Sequence, residues 1–242
     1  MSGHSKWHNI AARKGKQDKL RSNIFTKLCK AVTVAAREGG GDPDTNVSLR
    51  VAIEKAKEAS VPKDNIERAV KRGTGDIKDG ADIVELLYEG YAPGGVAVLV
   101  EAMTDNVTRT AGDMKHLFNK YGGSLGAPGA VQWQFQRLGV IRLDREQGSV
   151  IRDQEKELLL MDAGMGDLIE SEYGVEIRCS IPAFQKVMEV VQSFGVTTES
   201  AGFEWIAKDT VPVSAEVSEQ VATFVEALDE LDDVKEVFTN EN

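Results

Sequence analysis

Residues 22–37 read SNIFTKLCKAVTVAAR, and the organisation of the first third of the chain follows from this stretch. At 100° per residue its apolar side chains fall on one face, which is typical of an amphipathic helix that packs on that side. These side chains are Phe25, Leu28, Cys29, Val32, Ala35 and Ala36. Lys27, Lys30 and Arg37 fall on the opposite face, which the pattern predicts to be available to phosphates. Glycines at 39–41 end the helix, because glycine adopts the left-handed closing conformation at little cost.

Basic residues continue on the N-terminal side of this helix. Residues 2–37 contain nine Lys and Arg residues and a single acid, Asp18, although the 242-residue chain has a net charge of −10. Such a local reversal of sign is expected of a protein that binds a phosphate backbone, and a solvated basic surface without a partner is the alternative. The candidate nucleic-acid-binding residues are Lys6, Trp7, Arg13, Lys14, Lys16, Lys19, Arg21, Lys27 and Lys30.

Trp7 has two interpretations. Its indole either anchors the first residues onto the helices that follow, or stacks on a base or sugar of single-stranded or loop RNA. His4 and His8 flank it without a cysteine or acidic partner nearby, so no metal site is expected there.

Two further helices are predicted, from Asp42 to about Ala59 and from Lys63 to Arg72, with Asp42 as the cap and Pro43 in the first turn. Residues 1–80 are therefore predicted to form a basic helical nucleic-acid-binding domain. This part has 17 basic and 10 acidic residues, whereas the rest of the chain has 12 basic and 29 acidic residues. A basic head on an acidic body would orient itself on a polyanion.

Strands alternate with helices after residue 80. From 131 to 207 the order is strand, helix, strand, strand, helix, strand, which is the ferredoxin-like arrangement. The C-terminal helix and strand have no hairpin partner of their own, and residues 81–130 lack a closing helix and strand. The predicted fold is thus multidomain α+β: a three-helix bundle and two ferredoxin-like α+β domains, with the third domain (131–207) inserted in the second (81–130 plus 208–242).

A polar cluster lies where a strand of the second domain passes into a helix, and it includes Thr104, Asp105, Asn106 and Arg109. Its side chains either cap the helix, with Thr104 or Asp105 accepting the backbone N–H groups, or form an anion site that contacts RNA or tRNA. The glycine-rich segment 122–129 either lets the backbone approach a partner closely or is a flexible connection.

Several classes of function are not indicated by the sequence. It contains no Walker A motif, no Gly-x-Gly-x-x-Gly after a strand, no nucleophile elbow and no His-Glu-x-x-His, so we expect no catalytic residue, no cofactor and no metal. The absence of an apolar run of membrane length predicts no membrane partner. Cys29 and Cys179 are expected to be free thiols of a cytoplasmic protein. The oligomeric state stays open, with a monomer favoured.

The chain resembles the YebC/PmpR family along its whole length. The residues that carry the resemblance are Gly3-His4-Ser5-Lys6-Trp7 with Ile10, Arg13-Lys14, Gln17-Asp18-Lys19, Ile24-Phe25-Thr26-Lys27-Leu28, Gly39 to Asp44, Ile53 to Ala56, Pro62 to Ala69, Tyr88 to Tyr91, Thr104 to Asn106, and Arg109-Thr110. The resemblance implies a helical head and two α+β domains, the third inserted in the second, in a cytoplasmic protein of bacteria.

The resemblance implies one of two functions: a DNA-binding transcriptional regulator, or a translation factor that acts on the ribosome and eases elongation at consecutive prolines. A reader of duplex DNA needs a recognition helix whose first residues reach base edges. The best candidate, Lys63 to Arg72, begins with the acids Asp64 and Glu67. We therefore favour binding of rRNA on the large ribosomal subunit. An oligomeric scaffold with an incidental basic patch is a third possibility.

Overall fold

The structure is a computed structural model that describes residues 17–78 and 82–242, with side chains from residue 24 onward in the first range. Its helices are α1 Gln17–Gly39, α2 Val47–Glu58, α3 Lys63–Gly73, α4 Val107–Lys120, α5 Arg145–Val150, α6 Gln154–Ala163, α7 Phe184–Ser193 and α8 Ala215–Asp229. Its strands are β1 Val84–Tyr91, β2 Ala97–Thr104, β3 Ser124–Leu125, β4 Phe135–Asp144, β5 Met165–Glu170, β6 Gly174–Cys179, β7 Ser200–Ala207 and β8 Val234–Thr239.

The first three helices pack around a small apolar core. Val32 of α1, Leu49 of α2, and Ile66 and Ala69 of α3 are buried in it, as the periodicity predicts. The α1 helix ends as predicted. Gly40 has a φ of 86°, and its N–H donates to the carbonyl oxygen of Ala36 at 2.9 Å. This left-handed residue turns the chain towards α2.

The start of α2 differs from the prediction. Asn46, and not Asp42, is the cap, since its side chain accepts the N–H of Leu49 at 3.0 Å. The Asn46 amide also donates to the carbonyl oxygens of Ala35 and Gly40, at 2.8 Å each. The Asp42 side chain instead accepts the N–H of Asp44 within a turn. Asn46 is a better cap than Asp42 because its side chain satisfies three backbone groups at the junction of two helices.

The second domain is a four-stranded antiparallel sheet with the order β3-β1-β2-β8. Helices α4 and α8 bury its core, in which the rings of Phe118 and Phe224 meet edge to face at 4.9 Å. The first three strands precede the inserted domain and β8 follows it, so the C-terminal helix and strand complete the second domain.

The inserted domain is a second antiparallel sheet, with the order β5-β6-β4-β7. The crossover from β4 to β5 has β6 between its two strands, and the crossover from β6 to β7 has β4 between them. This strand order is ferredoxin-like. The first strand of this domain, predicted to begin at residue 131, begins only at Phe135 with β4, because residues before it form the 3-10 turn Gln132–Gln134. Helix α5 was not predicted, because it is only six residues long.

These sheets and helices confirm the predicted multidomain α+β fold, with the third domain inserted in the second. The described residues form two compact units: Phe135–Lys208, and the residues before Phe135 together with Asp209–Asn242. The domain boundaries at residues 80, 130 and 207 stay predictions. Cys29 is half-buried and Cys179 is buried, and both are free. Among the described helices, none has the length and apolar composition needed to cross a membrane.

Candidate nucleic-acid interface

The side chains of seven of the nine predicted interface residues lie outside the described part of the chain. Lys6, Trp7, Arg13, Lys14 and Lys16 precede residue 17, where the description begins. Lys19 and Arg21 belong to α1, but their side chains are outside the described residues. The assignment of these seven residues to a nucleic-acid interface stays a prediction.

Lys27 and Lys30 do not lie on a free face of α1, and this corrects the prediction made from the helical pattern. The ammonium group of Lys27 donates to the backbone oxygen of Asp229 at the end of α8. The ammonium group of Lys30 donates to Asp233 Oδ1 at 2.7 Å and to the backbone oxygen of Asp232 at 3.1 Å. Both lysines therefore tie α1 to the connection between α8 and β8.

The reason for this correction is a second apolar contact on α1. Val34 lies on the same side of the helix as Lys27 and Lys30, and it is buried against Ile83, just before β1, and Met103, near the end of β2. The guanidinium group of Arg37 donates to the backbone oxygen of Ile83 on that side. A single valine among lysines is a weak sequence signal. The pattern therefore predicts a helix with one packed face, although two faces of α1 are packed.

Asp233 is the centre of this contact. Its carboxylate, 8% exposed, accepts hydrogen bonds from Lys30 at 2.7 Å, from the guanidinium of Arg109 at 2.7 Å and from the hydroxyl of Thr110 at 2.8 Å. Burial raises the pKa of this carboxyl, but the donors outweigh that effect and hold the pKa at about 2. The group is therefore ionised at neutral pH and joins α1, α4 and the segment before β8.

The polar cluster at the start of α4 is mainly structural. The cap is Asn106, which accepts the N–H of Arg109 at 3.1 Å, and not Thr104 or Asp105. Thr104 is buried, so its predicted contact with RNA or tRNA is wrong, because nucleic acid cannot reach it. Arg109 pairs with Asp105 at 3.1 Å and with Asp233 at 2.7 Å. Two carboxylates already offset its charge, which weakens an anion site here.

The glycine-rich segment is held at its C-terminal end by one buried carboxylate, that of Glu89. It accepts the backbone N–H groups of Gly129 at 2.6 Å, and of Val131 and Gln132 at 2.8 Å. Burial raises the pKa of Glu89 and the three N–H donors lower it, with a net lowering. The N–H of Gly126 also donates to the backbone oxygen of Glu89 at 2.7 Å, so residues 122–132 form a fixed loop and not a flexible connection. Trp133 follows it and is 67% exposed.

A cleft of about 420 Å³ lies between α1, α3 and the beginning of the second domain. Its apolar lining is formed by Phe25, Cys29, Ala69 and Ile83. Its polar lining is formed by Thr26, Lys30, Thr33, Asn65, Arg68, Arg72 and Asp105. Three cations and one carboxylate make the lining positive on balance, in a protein whose net charge is −10.

The charges of the cleft are not equally available to a ligand. Lys30 is paired with Asp233, and Asp105 with Arg109. Arg68 is exposed and forms no ion pair with any residue in the described ranges. Burial raises the pKa of the Cys29 thiol, so this group is neutral at pH 7. Arg68 therefore provides the positive charge that a bound anion would meet.

Sequence reasoning missed the cleft and the role of Asp233. The only available signal was the spacing of Asn65, Arg68 and Arg72, which places three polar side chains on one face of α3. The partners that close the cleft, Ile83 and Asp105, come from the second domain, and no local pattern indicates them.

Comparison with known proteins covers the whole chain. Residues 5–76 match the family profile described as the TACO1/YebC protein N-terminal domain, and residues 83–241 match that of the TACO1/YebC second and third domain. A relative from Carboxydothermus hydrogenoformans is 45% identical over 240 residues, which are 99% of this chain and 98% of that protein. One from Thermotoga maritima is 47% identical over 241 residues, covering 99% and 93%. Both are named "probable transcriptional regulatory protein".

A solved structure agrees with the sequence comparison. The crystal structure of a conserved hypothetical protein from Aquifex aeolicus has a TM-score of 0.81 and 40% sequence identity, and the match covers 93% of this chain and 91% of that one. Because profiles of all three domains and near-complete relatives agree, the chain belongs to the TACO1/YebC family.

Proposed function

We propose that this protein is a nucleic-acid-binding regulator of gene expression that acts as a translation factor on the large ribosomal subunit. The observation that carries the proposal is the division of charge, with a surplus of seven positive charges in residues 1–80 and of 17 negative charges in the rest. A phosphate polymer attracts the first part and repels the second, which fixes the orientation of the bound protein.

RNA is favoured over duplex DNA by the surface of α3. Asp64 and Glu67 are exposed in its first two turns, and Glu67 pairs with Lys63 at 3.5 Å. Carboxylates at this end of a recognition helix would face the phosphates that border the groove. Irregular rRNA imposes no such docking geometry, since it is recognised through shape, loops and stacking.

In this mechanism the basic head binds rRNA, and the second and third domains act on the ribosome by non-covalent contacts. The fixed loop before Trp133 and the exposed side chains of Asp105, Asn106 and Arg109 are the proposed contacts with RNA or tRNA. The proposal assigns no catalytic residue. We also propose that the protein eases elongation through consecutive prolines. Translation of a polyproline message in vitro, with and without the protein, would measure this effect.

The proposal is tested by co-sedimentation with large ribosomal subunits, beside gel shifts on promoter DNA and on arbitrary DNA. We expect the protein to sediment with the subunit. We also expect simultaneous Lys14→Gln, Lys16→Gln and Lys19→Gln to weaken this binding by about tenfold or more, because three phosphate contacts are lost. The matched control replaces Lys115, Lys120 and Lys186, which are exposed in the other domains, with Gln.

A DNA-binding transcriptional regulator is the second candidate, and the printed name of the relatives favours it. Specific binding to one promoter, without binding to large subunits, would establish that function in place of ours. Equal ribosome binding by both triple variants would support an oligomeric scaffold with an incidental basic patch.

A further inference from the structure

The lining of the cleft between α1, α3 and the second domain contains the two kinds of group that a nucleotide needs. Its apolar members include the ring of Phe25 and the side chain of Ile83. Its polar members include Asn65, Arg68 and Arg72, whose side chains can donate hydrogen bonds. Its volume of about 420 Å³ lies within the range of about 300–1,000 Å³ that is usual for small-ligand sites.

The spacing of the polar side chains suits a phosphate group. Residues three and four apart lie one above the other on a helix, so Asn65, Arg68 and Arg72 form a row along α3. Guanidinium groups bind phosphate oxygens in a bidentate manner, which a lysine cannot do. Arg68 is exposed and has no ion pair within the described chain, so a phosphate would not have to displace a carboxylate from it.

The walls of the cleft are held in place without a ligand. Lys30, which lines the cleft, pairs with Asp233 at 2.7 Å. Asp105, which also lines it, pairs with Arg109 at 3.1 Å, and Arg109 in turn pairs with Asp233. Ala69 and Ile83, which belong to its apolar lining, are buried. These side chains are therefore ordered before a ligand binds, so binding loses little conformational entropy.

We propose that this cleft holds one nucleotide unit of a single-stranded nucleic acid, with the phosphate on Arg68 and Arg72 and the base against Phe25 and Ile83. This inference rests on the proposed nucleic-acid-binding function and adds a defined site to it. The same chemistry is present in a free nucleoside monophosphate and in the phosphorylated end of a strand. Each source needs its own arm in the experiment.

Cys29 reports occupancy of the cleft, because it is half-buried in the cleft wall. The full chain is alkylated with N-ethylmaleimide, and the modified peptides are quantified by mass spectrometry. The probes are uridine 5′-monophosphate, uridine, inorganic phosphate, and a single-stranded tetranucleotide with and without a 5′-phosphate. Cys179 is 2% exposed and belongs to the other compact unit, so it is the internal reference.

We expect the phosphorylated probes to slow alkylation of Cys29 about tenfold at saturation and to leave Cys179 unchanged. Tighter binding of the phosphorylated tetranucleotide would identify a strand as the source, and tighter binding of the mononucleotide would identify a free nucleotide. Arg68→Gln should weaken binding about tenfold, through the loss of a charge-assisted hydrogen bond. The matched control is Lys71→Gln, an exposed lysine of α3 outside the cleft, which should change binding less than twofold.

The inference is overturned if no phosphorylated probe protects Cys29 at millimolar concentration, or if Arg68→Gln and Lys71→Gln bind equally well. Ribosome co-sedimentation separates this failure from failure of the proposed function. Ribosome binding without Cys29 protection removes the cleft site and leaves the translation-factor proposal in place. Cys29 protection without ribosome binding keeps the site and removes that proposal.

Discussion

At the scale of single residues, Asp233 shows how a buried charge organises its surroundings. Its carboxylate meets two cations and two threonine hydroxyls, which come from α1, α4 and the end of β2. A buried carboxylate with fewer donors would not recover the free energy lost when it leaves water. With these four donors its ionised form is the stable one, and its pKa falls to about 2.

This pKa predicts how stability depends on pH. Because the folded-state pKa is lower than the ordinary value of 3.8, the stabilisation is complete above about pH 4 and is lost as pH falls towards 2. Asp233→Asn should lower the free energy of unfolding by about 2 kcal/mol at pH 7. Urea unfolding from pH 7 to pH 2 measures this, and the difference from the wild type should shrink below pH 4.

The matched control for this prediction is Asp232→Asn. Asp232 is exposed, and Lys30 contacts only its backbone oxygen. An equal loss of stability in both variants would show that the cations around Asp233 do not stabilise the fold through its charge.

At the scale of elements, the junction of α1 and α2 depends on one amide. Asn46 accepts one N–H and donates to two carbonyl oxygens, and it is 6% exposed. The end of α1 and the start of α2 therefore share a single buried side chain. The fixed loop is similar, because Glu89 alone satisfies three of its N–H groups.

Asn46→Ala should lower the free energy of unfolding by about 2 kcal/mol, because it removes the helix cap and the two amide hydrogen bonds to the carbonyl oxygens of Ala35 and Gly40. Chemical denaturation followed by circular dichroism measures this. Ser48→Ala, at an exposed position of the same first turn, is the control and should change stability by less than about 0.5 kcal/mol. If the two variants were equally stable, the junction would depend on apolar packing alone.

At the scale of the whole molecule, the separation of charge decides how the protein meets its partner. Lys27 and Lys30 are used within the fold, so most of the positive charge left for a polyanion is in the N-terminal stretch and on the exposed surfaces of α2 and α3. Binding through these residues releases counterions from the nucleic acid and is therefore sensitive to salt.

We predict that the logarithm of the RNA-binding constant falls with the logarithm of salt concentration with a slope of about −4 to −5, which corresponds to about six phosphate contacts. Fluorescence anisotropy with an rRNA fragment between 50 and 300 mM salt, roughly the range in which the slope is linear, measures it. The variant with Gln at 14, 16 and 19 should have a slope smaller in magnitude by about 2–3. An unchanged slope would exclude these lysines from phosphate contact.

Much of the fold could be predicted from the sequence because its signals are local. The 3.6-residue period of α1, the glycines after it and the strand limits of β1 and β8 are all set by residues close together in the chain. The family was recognisable for the same reason, since its motifs are short runs of adjacent residues. The start of α2 could not be predicted, because the capping role of Asn46 depends on its contact with α1, which no local pattern indicates.

The contacts of charged residues were the hardest to predict, because the sequence shows which residues are charged but not which residues they pair with. The ammonium of Lys30 meets a carboxylate 203 residues further along the chain. Arg142, in the middle of β4, is 2% exposed and pairs with Glu204 at 2.7 Å and with Glu176 at 2.7 Å. Burial lowers the pKa of Arg142, but the two carboxylates raise it by more than burial lowers it. The guanidinium therefore stays charged inside the domain.

The sequence by itself determined the order of helices and strands, the family and the polarity of charge, because periodicity, turn chemistry and composition need no knowledge of distant contacts. Only the tertiary structure decided that one polar face of α1 is packed, that Thr104 is buried, and that a cleft opens beside Arg68. The physical reason is that a charge is free or paired according to what the fold brings within about 4 Å of it. For α1 that partner comes from the other end of the chain.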